Sequence, residues 1–336
     1  MAVKSINVVI AGAGFMGTAH LRAYLKIPGV RVVGLCSPNR PVTNGVLGGV
    51  AGNIQQTNAL RLPASVKVVR TFDDLLALPN VDAVDICTPT SLHPSQAIAA
   101  LLSGKHVLCE KPLAESSAEA RAVLKAASKS KGILMPAMCM RFWPGWETLK
   151  QIIDSRKYGK VLAASFRRVS ERPAWGDAAS HPGGALLDFH IHDADFAQFL
   201  FGRPDKVFAT GVTAANGTVE QVVAQFVYRH GPSVVAEGSW LVARGFNMGY
   251  MVQCENATLD YDFQRGPEAR ITTRDGKVHA LKNLAGDGYN AEIRHFVDCV
   301  RRRKPSPIVP PQDAVAALEI CEAEEKSLRT GAPVKL

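Results

Sequence analysis

Apolar positions change rhythm once along the chain. Up to about Met140 they fall in short β-rich runs separated by helical stretches, and beyond Pro144 they lengthen into segments that alternate every second residue. The first rhythm predicts strands at 30–36, 66–70, 83–88, 106–110 and 133–139, with helices between them such as 94–103, closed by Gly104. Strands joined by crossover helices form a parallel, doubly wound sheet. The second rhythm predicts an open, mostly antiparallel sheet from strands at 161–169, 222–228, 234–241 and 250–255, with a hairpin at Asp275-Gly276. Helices at 289–302 and 312–328 follow, the first stopped by Pro305 and Pro307. The expected architecture is an α/β Rossmann domain over 1–140, then an α+β domain over 141–336 for substrate binding and oligomerisation, carrying the large open sheet.

The corner after the first strand concentrates the chemistry. Its apolar run, Asn7 to Ala11, breaks into Gly12-Ala13-Gly14-Phe15-Met16-Gly17. Gly12 permits a tight turn, Gly14 lets bare backbone approach a pyrophosphate, and Gly17 lets the following helix pack close to its strand. Unpaired N–H groups and the positive end of the helix dipole then face the phosphates. Ligands of such sheets bind beyond the carboxyl ends of the strands, so Ser37, Thr88, Glu110 and Cys139 to Arg141 are expected to converge on one crevice.

Composition narrows the class. The 336 residues are 47% apolar and 21% charged, enough for a large interior, and no apolar run approaches the ~20 residues that cross a bilayer. No secretory leader precedes the first strand, so a cytoplasmic protein without membrane contact is expected. Seven scattered cysteines without a Cys-x-x-Cys pair argue against a disulfide framework or a thiolate metal site. The formal charge of +9 holds one dense basic run, Arg301-Arg302-Arg303-Lys304, placed to complement a helix C-terminus; nucleic acid is not the expected partner.

Two polar constellations interrupt the apolar pattern. Glu110-Lys111-Pro112 ends a strand at the crevice, where Lys111 can reach a bound ring or substrate oxygen, or simply pair with Glu110. In Gly183-Gly184 through Asp195 a glycine turn opens a helix on which Asp188, His192 and Asp195 are i, i+4 and i+7 and share a face, with His190 nearly opposite. An Asp one turn before a His can fix its tautomer and raise its basicity. No convergent third ligand accompanies the histidines, so no metal is expected.

In combination these ordered motifs, with His20 and Thr88-Pro89-Thr90-Ser91-Leu92-His93, resemble the glucose-fructose oxidoreductase/inositol dehydrogenase/rhizopine catabolism (Gfo/Idh/MocA) family over essentially the whole chain. The resemblance implies a nicotinamide-dependent dehydrogenase or reductase acting on a sugar, cyclic polyol or related compound, with Lys111, Asp188 and His192 catalytic. It implies cofactor contacts from Gly12, Gly14, Phe15, Met16, Gly17, Ser37, Arg40, Thr88, Pro89, His93, Glu110, Lys111 and Arg141. It also marks Lys111-Pro112 as a candidate cis bond. Arg141, Trp143, Trp175, His181, Asp188 and His192 are candidate substrate contacts. Where many members carry an acidic residue for the adenosine ribose, this chain has Ser37-Pro38-Asn39-Arg40, which favours NADP over NAD because Arg40 can pair with a 2′-phosphate. Cys139 and His190 also depart from the family pattern. A glycosidase working by transient oxidation and a non-catalytic nucleotide sensor remain alternative readings. The open sheet implies a homodimer or homotetramer.

Overall fold

The computed structural model describes residues 5–50, 52, 58–173, 183–282 and 284–336. They fall into two units: one runs to Cys139 and includes Tyr289–Val315, the other comprises Met140–Gly288 and Ala316–Leu336.

The first unit is built on six parallel strands in the spatial order Lys67–Val69, Val30–Cys36, Ile6–Ala11, Ala83–Ile86, His106–Glu110, Leu134–Ala137. Every residue of Ile6–Ala11 is buried, as a central strand covered on both faces requires. Strand order reverses beside it, between Ile6–Ala11 and Ala83–Ile86, which places the topological switch point at the glycine corner. Ser37, Thr88, Glu110 and Cys139 all stand at or just past the carboxyl ends of these strands. Helices Phe15–Tyr24, Phe72–Leu76, His93–Leu102 and Ser117–Ala127 make most of the connections. The connection from Val30–Cys36 to Lys67–Val69 differs. Among the described residues it holds no helix but a small antiparallel sheet of Val42–Thr43, Val46–Leu47 and Leu60–Arg61. The cause is local, because Pro38, Pro41 and several glycines forbid a helix, and Asn44-Gly45, both at positive φ (52° and 73°), make a tight hairpin turn.

The second unit carries nine strands in the order Val278–Leu281, Ala269–Thr273, Ala257–Asp262, Leu241–Cys254, Val161–Glu171, Ser233–Ser239, Val219–Val227, Lys206–Thr213, Val334–Lys335. All neighbours are antiparallel except Val161–Glu171 with Ser233–Ser239. One face is buried through Phe166, Val222, Phe226, Val234 and Val252. Helices Pro144–Ser155 and Ile191–Phe201 also belong to this unit, Trp146 of the former lying edge-on to Tyr250. The other face exposes Val223, Val235 and Met251. Leu241–Cys254 is longer than the alternation suggests because it pairs along the whole of Val161–Glu171. Among the described residues no helix is long and apolar enough to cross a membrane.

Candidate active site

The glycine corner has the features that a pyrophosphate requires. Gly12 stands at φ +102°, and a Cβ there would lie 2.4 Å from the Cys87 carbonyl oxygen. A Cβ on Gly17 would lie 2.0 Å from the Gly12 oxygen, so helix Phe15–Tyr24 packs flush on the turn. A Cβ on Gly14 would meet nothing within 4 Å: the glycine leaves an open cradle. The helix has no side-chain cap at Gly14 and no acidic residue in its first turn, so its leading N–H groups keep their attraction for an anion. These residues fit a dinucleotide.

Beside the cradle, the Ser37 hydroxyl donates to the Arg40 carbonyl and holds the loop after Val30–Cys36 bent. The Arg40 guanidinium donates to the Ala13 carbonyl and, at 2.6 Å, to the Gly48 carbonyl. Arg70 donates to the Pro38 carbonyl at 3.2 Å, bringing a second cation to the loop. Sequence reasoning missed Arg70, which lies 33 positions beyond Ser37 and reaches it only through the pairing of adjacent parallel strands.

The Glu110-Lys111-Pro112 turn carries the expected cis Lys111-Pro112 bond. Glu110 Oε2 accepts the Lys111 N–H at 3.0 Å, and Oε1 lies 3.2 Å from His20 Nε2 in ion-pair contact. His20 Nδ1 is 2.9 Å from Asp85 Oδ2, and Cys87 Sγ lies 3.4 Å from both His20 Nδ1 and Asp85 Oδ1. His20, Asp85 and Cys87 are the donor types of a metal site, but their spacings are those of hydrogen bonds. Burial opposes a charge on His20, yet Asp85 and Cys87 outweigh it and hold the imidazole well above its ordinary pKa. Burial, with the nearby Asp85, pushes the Cys87 thiol up, leaving it a neutral donor. Sequence reasoning missed Asp85, although a carboxylate inside an otherwise apolar central strand is a signal for a buried partner.

His93 is 1% exposed, with Nδ1 2.8 Å from the Pro112 carbonyl oxygen and Nε2 2.8 Å from that of Thr88. Burial lowers its pKa against the pull of these two carbonyls. The Thr88 hydroxyl donates to Gln96 Oε1 at 2.8 Å.

In the second unit Asp188 and His192 are both half-buried; Asp188 sits where the helix departs from regular winding, and His192 just beyond it. Leu186–His190 is π-helical and continues as α-helix Ile191–Phe201. The one-face spacing at 3.6 residues per turn therefore applies only from Ile191 onward. The start is pinned twice: a Cβ on Gly184 would lie 2.2 Å from the Val219 carbonyl oxygen, and one on Gly238 would lie 2.7 Å from His190 Cβ. Helix and sheet thus meet too closely for ordinary side-chain spacing, and the winding opens there. Next to His192, Asp193 receives the Arg168 fork at 3.0 and 3.1 Å, and Asp195 receives the Arg141 fork at 2.9 and 2.6 Å. All four residues are at most 3% exposed. The guanidinium that the sequence offers to cofactor and substrate is thus forked onto Asp195, and it also lies 4.4 Å over the Phe199 ring. His190 is fully buried, with Nε2 3.0 Å from Glu324 Oε1 and its ring stacked on Phe226. Burial opposes its charge, but Glu324 prevails and raises its pKa. Trp143 is 3% exposed, edge-on to Phe263. Trp175 and His181 lie outside the described residues.

Two family models match this chain: "Oxidoreductase family, NAD-binding Rossmann fold" over residues 6–138, and "GFO/IDH/MocA C-terminal domain" over residues 146–260. The chain belongs to the GFO/IDH/MocA oxidoreductase family. Among its relatives, the scyllo-inositol 2-dehydrogenase (NAD(+)) of Bacillus subtilis is 26% identical over 344 residues, covering 98% of this chain and 96% of that protein. The myo-inositol 2-dehydrogenase of Thermotoga maritima is 28% identical over 284 residues, covering 80% and 84%. A levoglucosan dehydrogenase solved with NADH and levoglucosan superposes with a TM-score of 0.83 over 99% of both chains at 19% identity, a likeness of fold. A GFO/IDH/MocA member is a nicotinamide-dependent oxidoreductase, and the glycine corner described above lies within the stretch that matches the NAD-binding Rossmann model.

Proposed function

We propose that this protein is a cytoplasmic dehydrogenase or reductase that interconverts a hydroxyl and a carbonyl on a sugar, cyclic polyol or related compound, with NADP favoured over NAD. The observation that carries the reading is near full-length similarity to an inositol dehydrogenase in a chain that has Lys111, Asp188 and His192 at the positions named above. The nicotinamide, when bound, supplies the hydride acceptor or donor. In the oxidative direction His192 acts as the base that takes the hydroxyl proton, and Lys111 acts as a hydrogen-bond donor to developing negative charge on oxygen. Asp188 orients the His192 ring. Reduction returns the proton from His192.

The preference for NADP is supported by the loop after Val30–Cys36, where residues 37–40 contain no carboxylate and two arginines, Arg40 and Arg70, approach. The exposed face of the nine-stranded sheet supports self-association as a dimer or tetramer.

The test is a panel of sugars and inositols run with both coenzymes while absorbance of the reduced nicotinamide is followed. At least one polyol should give net reduction, faster with NADP. Lys111→Ala and His192→Ala should each lower kcat by about 10² to 10⁴-fold, the usual range for lost acid–base groups, with coenzyme affinity kept. Wild-type turnover in either variant would overturn these roles.

A further inference from the structure

We propose that His20 and His93 form a two-point clamp on the Glu110-Lys111-Pro112 turn, so that both are positioning residues for the Lys111 side chain. The proposal rests on Lys111 being the catalytic lysine, but the grip itself is independent of turnover. On one side the His20 ring faces the Glu110 carboxylate at 3.2 Å, an ion-pair contact and not a hydrogen bond, and the same carboxylate holds the Lys111 N–H at 3.0 Å. On the other side His93 lies 2.8 Å from the Pro112 carbonyl and 2.8 Å from that of Thr88, tying the turn to the neighbouring strand end. Lys111 is thus bracketed by two peptide groups, each fixed through a histidine from a different helix, Phe15–Tyr24 and His93–Leu102.

Both rings are sealed, at 0% and 1% exposure, so neither can be displaced by water without opening the unit. The groups around His20 are Asp85, Cys87 and Glu110, with Tyr24 also coupled to Asp85; Glu110 and Lys111 are the charges near His93. A buried imidazolium between two carboxylates is a rigid hub, since losing it leaves two carboxylates uncompensated. The two rings play different parts: His20 is the charged anchor, whereas His93, kept neutral by burial, has one N–H to donate to one of the two carbonyls and fills the space between them.

The experiment uses the full chain and two readouts. Hydrogen exchange of the peptide covering residues 106–115 is followed by mass spectrometry in the parent, His20→Gln and His93→Gln proteins, and kcat, KM and NADPH affinity are measured on the best polyol of the panel. The expected result is at least tenfold faster exchange in that peptide, with peptides of strand Leu134–Ala137 unchanged. In parallel kcat should fall 10- to 100-fold with KM within threefold of the parent, and in His20→Gln the NADPH affinity should also stay within threefold. His93→Gln should retain more kcat than His93→Leu. In a Glu110→Gln background, His20→Gln should add less than twofold to the loss, because the ring acts through that carboxylate. Should His20→Gln fail to fold, Asp85→Asn, which removes only the far partner, is expected to give an intermediate loss. Unchanged exchange, additive losses in the double variant, or a rise in KM with kcat kept would each overturn the clamp. A panel with no turnover but with faster exchange in the variants would overturn the dehydrogenase reading and leave the clamp standing.

Discussion

At the scale of single residues, glycines of one motif do different jobs. Gly12→Ala forces a Cβ to 2.4 Å from a carbonyl oxygen at a φ of +102°, so it should destabilise the protein by more than 1 kcal/mol as well as abolish coenzyme binding. Gly14→Ala meets open space, and its thermal midpoint should stay within about 2 °C of the parent while coenzyme affinity falls at least tenfold. Thermal scans with and without NADPH separate the two. Arg40→Ser should lower kcat/KM for NADP by roughly 10- to 100-fold and leave NAD within threefold, as expected for a lost charge-assisted hydrogen bond. The tight turn at Gly12 and the close packing at Gly17 were legible in the sequence because a motif of fixed spacing needs no partner from elsewhere. Asp85 and Glu324 were not legible: their histidine partners lie 65 and 134 residues away, and only the closed fold brings them together.

At the scale of elements, helix Ile191–Phe201 is fixed to its unit by two buried forks, Arg168 on Asp193 and Arg141 on Asp195. Removing one partner strands a buried charge, so Asp193→Asn or Arg168→Met should cost about 3–5 kcal/mol in urea unfolding. Alternation foretold Val161–Glu171 before this helix but not Lys206–Thr213 after it, nor its π-wound start, where Gly184 lies against the Val219 carbonyl and His190 against Gly238. The helix expected after Val30–Cys36 is likewise replaced by a small sheet because Asn44-Gly45 turns the chain. If the open sheet face is an interface, Val223→Glu with Val235→Glu should lower the mass measured by light scattering toward 36.1 kDa without unfolding the protein.

At the scale of the whole molecule, buried histidines set a pH optimum for stability. His20 and His190 have raised pKa values, so the native state holds more protons than the unfolded chain; their contribution is complete below about pH 6.5 and declines as pH rises through the folded values. His93, His106 and His295 are lowered, mainly by burial, and their contribution declines as pH falls below about 6.5. The urea midpoint should therefore peak near that pH, and His190→Gln should flatten the alkaline limb. Chain order adds a temporal constraint. Residues Tyr289–Val315 belong to the first unit, with Ile293, Phe296 and Val297 sealed from solvent and Arg301 donating to the Pro28 carbonyl. A ribosome that has made only the glycine corner and its parallel strands has thus not yet supplied all of that body. The nucleotide-binding half should mature after nearly the entire polypeptide has emerged, so a nascent chain arrested at residue 140 should be sensitive to protease where the released protein resists it.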